Sequence, residues 1–156
     1  MLMNAEKVTG VLPDLRTGML GQTSYSLVVT DRRLIFAQIT NELLKQEREK
    51  AVSDSGGGLM SRWKASMGSH YSFHERYYNM DPEEALRESP DNYEIRPEQV
   101  RSVKLKGSKN WSNDGKKSPN KMVIKWSGGK NKYNFQRVSS NEAKKALYPL
   151  LGPKVK

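Results

Sequence analysis

The chain has 156 residues, with 27 Lys+Arg against 17 Asp+Glu, a formal net charge of +10 and no cysteine. That length suits one domain able to bury a real core without disulfides or a structural metal. The missing cysteines exclude thiol catalysis, zinc ribbons and iron–sulfur clusters.

The longest apolar run, Leu34 to Ala37, falls far short of the roughly 18–20 residues a membrane helix needs. The start, Met1 to Lys7, lacks the basic-then-apolar order of a signal peptide, so a cytoplasmic protein is expected. Charge is unevenly placed. Residues 1–100 carry a net charge of −3, whereas residues 101–156 hold 15 basic side chains against Asp114 and Glu142, a net of +13. Such asymmetry points to an anionic partner, or to a solvated face that keeps the protein soluble.

In chain order, Lys7–Leu12 reads as a first strand and Pro13–Gly18 as the loop after it. Tyr25–Thr30 and Leu34–Thr40 form a hairpin about the turn at Asp31-Arg32, apolar on both faces over part of its length. From Asn41 to Asp91 the period becomes helical. Asn41 caps a helix to Val52, and the glycines at 56–58 end it.

A second helix is expected over Leu59–Asn79. At about 100° per residue, Leu59, Met60, Trp63, Met67, His70, Tyr71, Phe73, His74, Tyr77 and Tyr78 fall on one stripe. Asp81, Pro82 and Glu84 read as cap, first position and capping box of a short third helix.

Strands resume at Tyr93–Arg96 and Ser102–Lys106, with one turn from Pro97 between them. A polar loop covers Gly107–Asn120. Lys121–Trp126 and Lys132–Arg137 form a hairpin through Ser127-Gly128-Gly129-Lys130. Ser139 with Glu142 opens a closing helix whose apolar residues are Ala143, Ala146, Leu147, Leu150 and Leu151, shortened or kinked at Pro149.

The run Val28-Val29-Thr30-Asp31-Arg32-Arg33-Leu34-Ile35-Phe36, followed later by Ile95-Arg96-Pro97-Glu98-Gln99-Val100-Arg101-Ser102-Val103, resembles the pleckstrin-homology-like domains of the prokaryotic and GRAM-related kind. The resemblance covers roughly residues 5–40 and 92–152. It implies an α+β fold: an antiparallel barrel or sandwich of about seven strands with a C-terminal capping helix. Residues 41–91 would be a helical insertion between the third and fourth strands of this single domain. It also implies a binding module, since such domains hold phosphoinositides, peptides or other proteins. Phosphoinositide-binding members use a basic motif between the first two strands, where this chain offers only Arg16 in Pro13–Thr23.

No Walker loop, dinucleotide fingerprint, nucleophile elbow or zinc-protease motif occurs, so no catalytic residue and no cofactor is nominated. His70 and His74 have the spacing of two metal ligands, but no third ligand completes a site, and they suit the aromatic stripe as packing groups. The stripe of Trp63, Met67, Tyr71, Phe73, Tyr77 and Tyr78 has three readings: core over the sheet, an interface with a second copy or partner, or a lipid-facing helix.

The lysines carry the sharper expectation. Lys104 and Lys106 alternate with Val103 and Leu105, Lys121 and Lys125 lie on one parity of their strand with Val123, Lys130 and Lys132 fall near the next turn, and Lys109, Lys116 and Lys117 crowd the loop with Trp111. If those strands are neighbours, the lysines share one sheet face. It would contact an anionic membrane surface or an acidic protein, with nonspecific nucleic-acid binding as the alternative. The bland reading keeps the lysines as guards against edge pairing.

Overall fold

The computed structural model describes residues 5–18, 23–54, 73–107 and 119–156. Seven strands form one antiparallel sheet: β1 (Val8–Thr17), β2 (Thr23–Thr30), β3 (Leu34–Ile39), β4 (Tyr93–Ile95), β5 (Val100–Lys106), β6 (Asn120–Trp126) and β7 (Gly129–Phe135). Their spatial order is β4-β3-β2-β1-β7-β6-β5. Among the described residues three α-helices accompany them: α1 (Asn41–Asp54), α2 (Pro82–Arg87) and α3 (Ser140–Leu151). The segment between β3 and β4 holds α1, a 3-10 stretch at Phe73–Asn79, and α2.

The sheet rolls. A flat sheet would separate β4 from β7 by four strand spacings, about 19 Å. Instead the hydroxyl of Tyr93 on β4 meets that of Tyr133 on β7. The Phe36 ring of β3 stacks between them, 4.7 Å from Tyr93 and 5.2 Å from Tyr133 by centroid. One core therefore draws on every strand: Leu12 and Leu15, Leu27 and Val29, Leu34 and Phe36, Ile95, Val103, Ile124 and Phe135 among them. Helix α3 closes it with Ala143, Leu147 and Leu151. The helix crosses β1 at Gly10, where a Cβ would stand 3.3 Å from that of Ala146.

The curvature has a local cause in β1. Leu12 pairs with Leu27 and Leu15 with Tyr25, so two residues on β1, Pro13 and Asp14, oppose one on β2, Ser26. This bulge absorbs Pro13, which lacks an amide to donate, and Asp14, whose φ is +54°. The sequence predicts a loop from Pro13 onward; the strand instead runs through it to Thr17 because the bulge restores the inward parity at Leu15. A second register shift lies between Val8 and Gly10.

The Thr30–Arg33 turn explains its conspicuous sequence. Thr30 Oγ1 accepts from the amides of Arg32 and Arg33 at 3.0 and 2.9 Å, and Asp31 Oδ1 accepts from the Lys7 amide at 3.0 Å. The Arg33 guanidinium is buried and binds Glu6 through two bonds of 2.9 Å. It also meets Glu83 of α2 at 3.0 Å and Glu94 of β4. One arginine thus ties the residues before β1, helix α2 and an edge strand together, the multiple pairing that a buried charge requires.

Strands β1–β3 carry a second apolar layer on their other face. Val11, Val28, Ile35 and Ala37 are covered by Tyr77 and Ala85 of the segment between β3 and β4, with Leu43, Leu44 and Met80 around them. Several local expectations are corrected here. Thr40, not Asn41, caps α1, its hydroxyl accepting from the Leu43 amide at 3.1 Å. Asp81 caps α2 by accepting from Glu83 at 3.0 Å, rather than through a box with Glu84. Within the helix expected over Leu59–Asn79, Phe73–Asn79 is 3-10, so the 100° stripe does not extend over it; residues 59–72 lie outside the described residues.

Strand β7 begins at Gly129, three residues earlier than expected, after a two-residue turn at Ser127-Gly128. Gly128 is required there, since a Cβ would lie 2.5 Å from the Trp126 ring. Ser139 caps α3 as expected, accepting from the Glu142 amide at 3.1 Å. Pro149 sits in the last turn, where only one backbone bond is lost, and α3 continues to Leu151.

Candidate functional site

Strands β6 and β7, and β5 from Ser102 onward, alternate between the two faces. Val103, Met122, Ile124 and Tyr133 are buried inward, while Lys104, Lys106, Lys121, Lys125, Lys130 and Lys132 are all exposed. The register places these six on one face. Lys106 is directly opposite Lys121, and Lys125 directly opposite Lys130. Lys104 and Lys132 flank Val123 from the two sides. Opposed side chains on a sheet have Cβ atoms about 4.5–5.5 Å apart, and like charges at that distance repel. Among the described residues, none of the six makes an ion pair. The face is thus a block of uncompensated cations two to three strands wide.

The same outer surface continues across the sheet. Lys121 pairs with Asn134, Asn134 with Arg16, Arg16 with Ser24, and Ser24 with Ile39. One cross-strand row therefore runs from Lys106 on β5 to Ile39 on β3. Arg16 joins the basic surface through this row, although its sequence position suggested a loop. The missed signal was strand parity, which only an extended β1 makes visible. Arg16 is not bare: its guanidinium meets Asp14 at 3.2 Å, and Arg137 approaches the same carboxylate at 3.6 Å.

Lys130 and Lys132 also rim an open hollow of about 620 Å³ where β4 approaches β7, walled by Tyr25, Tyr93, Tyr133 and Trp126. Asn131 Nδ2 donates to Tyr93 and Tyr133 at 3.2 and 3.1 Å. Burial pushes both phenols above the usual tyrosine range; Tyr133 raises Tyr93 further, while the bonds from Tyr93 and Asn131 oppose the rise at Tyr133.

The remaining sequence candidates divide. Lys109, Trp111, Lys116 and Lys117 lie outside the described residues, as do Trp63, Met67 and Tyr71, and so does the His70 half of the histidine pair; nothing is described of the Phe73 side chain. Tyr77 is fully buried against the outer face of β1–β3, where the first of the three readings of the stripe, core over the sheet, placed it. Its hydroxyl donates to Glu88 at 2.9 Å, and burial followed by Glu88 pushes the phenol above its ordinary value. Tyr78 is exposed, but its hydroxyl accepts from the Val11 amide at 3.1 Å, so it too anchors the 3-10 stretch to β1.

Comparisons with family models, curated proteins and solved structures find no match. No helix among the described residues is long and apolar enough to cross a membrane.

Proposed function

We propose that the chain is a non-catalytic binding module of pleckstrin-homology-like architecture that lays its basic sheet face on an anionic membrane surface. The observation that carries this reading is the register: two lysine pairs directly opposed and a third flanking Val123, with no carboxylate between them. A sheet stabilised for its own sake would alternate charge across such pairs, because opposed like charges cost stability. An external anion removes that cost. Near an anionic leaflet each lysine contributes about 1 kcal/mol, so six acting together are enough for reversible attachment without insertion.

Support for the architecture comes from the strand order, in which β1 bridges β2 and β7, and from the rolled sheet closed by α3. The inserted segment packs on the outer face of β1–β3, leaving the lysine face of β5–β7 for a partner.

Co-sedimentation with phosphatidylcholine vesicles, with and without phosphatidylserine, tests the reading. Binding should require phosphatidylserine, weaken as salt rises, and vanish when Lys104, Lys106 and Lys125 are all changed to Glu. Equal binding to neutral vesicles, or undiminished binding by the triple variant, would overturn it. Retention of RNA or DNA at physiological salt without vesicle binding would replace the membrane with nucleic acid as the partner.

A further inference from the structure

The inward rows of β6 and β7 run on past the packed core. Met122, Ile124 and Trp126 share one parity on β6, and Asn131, Tyr133 and Phe135 share it on β7, with Ile124 opposite Asn131 and Met122 opposite Tyr133. Met122, Ile124 and Phe135 are buried in the core, whereas Trp126 and Asn131 are only half-covered. Those two line the hollow of about 620 Å³ between β4 and β7, together with Tyr25, Tyr93 and Tyr133. Small-molecule sites are concave, roughly 300–1,000 Å³ in volume, and mostly apolar with a few polar groups at defined points. The hollow has that size and that make-up.

Charge at the hollow has one sign. Lys130 and Lys132 stand on its rim, exposed and without an ion pair among the described residues. No carboxylate occurs among the described residues that line it. Burial, and after it Asp91, raise the Tyr25 phenol, but Asp91 is not part of the wall.

Trp126 gives an independent sign. Its indole lies against the backbone at Gly128, and its Nε1 is buried with no hydrogen-bond partner. Almost all buried donors in folded proteins are paired. A phenylalanine would cover the Gly128 turn without leaving a donor unmet, so the turn alone does not call for an indole. What the indole adds to the wall is a wide π-face.

We infer that this hollow binds a small planar aromatic carboxylate, its ring laid against the tyrosines and Trp126 and its carboxylate held by the Lys130 and Lys132 ammoniums. Aromatic walls receive a planar ring by offset stacking or edge-to-face contact. Residues two apart on a strand stand about 7 Å apart on one face. Two flexible lysine stems close that span around one carboxylate, each giving a charge-assisted bond to one oxygen. A long acyl chain would need an enclosed tunnel, and this hollow is open. A bare inorganic anion would use the lysines and leave the aromatic wall in water. The site goes beyond the membrane reading and does not rest on it, because its ligand is soluble.

The test is a titration of the full chain with naphthoate at constant ionic strength, followed by backbone amide NMR shifts. Saturable shifts should centre on Tyr93, Asn131 and Lys132. Naphthol, which has the ring without the charge, and acetate, which has the charge without the ring, should each bind about tenfold more weakly or worse. Changing Lys130 and Lys132 together to Gln should weaken naphthoate binding about tenfold or more at an unchanged melting temperature, since both side chains are exposed. Tyr25→Leu should weaken it about threefold to tenfold, the worth of one aromatic contact, while Tyr25→Phe, which keeps the ring, should bind as the parent chain does.

No vesicle enters these measurements, so the site and the membrane reading fail separately. Shifts that never saturate, or that lie away from β4 and β7, would overturn the site. So would acetate, naphthol or inorganic phosphate binding as tightly as naphthoate, or undiminished binding by the double lysine variant.

Discussion

Strands β1–β3 and strands β5–β7 belong to one sheet but live in different surroundings. The first group is covered twice, by α3 and the common core on one face and by Tyr77, Ala85 and their neighbours on the other. Among the described residues the second group is covered once, and its outer face carries exposed lysines. The described part of the segment between β3 and β4 makes the difference, because its apolar residues pack on β1–β3. Specificity of docking follows from composition: the segment finds Val28, Ile35 and Ala37 on one half and charge on the other, and only the first arrangement removes apolar surface from water.

The comparison breaks most readily at matched outer-face residues. Ile35→Ala, beneath that segment, should cost about 2–5 kcal/mol in chemical denaturation. Val123→Ala, between Lys104 and Lys132, should cost well under about 1 kcal/mol, since its side chain is already partly wet. Equal losses would mean that the two halves are covered alike.

High pH should attack the covered regions next. Tyr77, Tyr93 and Tyr133 have phenols held above the ordinary value of 10.0 in the folded protein. A raised acid in the folded state contributes its full stability below the unfolded pKa. That contribution is lost as pH climbs past about 10, where the unfolded chain ionises first. Unfolding midpoints should therefore fall steeply above that pH, and replacing Tyr77 by Phe should shallow the slope.

The same substitution at neutral pH removes the bond to Glu88 and should cost about 0.5–1.5 kcal/mol by thermal melting. Smallest of all, and opposite in sign, Lys121→Glu should stabilise the protein by about 0.2–1 kcal/mol by relieving its opposition to Lys106, more at low salt than at high. A loss instead would show that the lysine face is not under electrostatic tension.

Much of this division is legible in the sequence because strands have period two. Lys104, Lys106, Lys121 and Lys125 announce an outward parity, and Leu34–Ala37 announces burial on both faces. The hairpin at Asp31 and the Ser139 cap depend on neighbours within three or four residues, so they too could be read directly. What could not be read depends on distant partners. The Pro13-Asp14 bulge is defined by pairing with Leu27 and Tyr25, and without it the parity of Arg16 is invisible. Phe73–Asn79 carries a helical pattern in aromatics, yet tightens into 3-10 geometry where Tyr77 and Tyr78 must reach Glu88 and β1 respectively. Arg33 looked like one more cation in a turn; its three carboxylates come from positions 6, 83 and 94.

The far edge of the sheet has a practical bearing on all of these measurements. Beyond α3 the chain turns back, and Val155 pairs in parallel with Val103, while Lys156 donates to Val103 and accepts from Leu105. The exposed edge of β5 is thereby used by the protein itself, which deprives passing strands of a template. Anything fused after Lys156 is launched alongside Lys104 and Lys106. A purification tag placed there would ride on the rim of the lysine face and compete with vesicles for it, so a carboxyl-terminal acidic epitope should mimic the triple Lys→Glu variant without any substitution in the sheet.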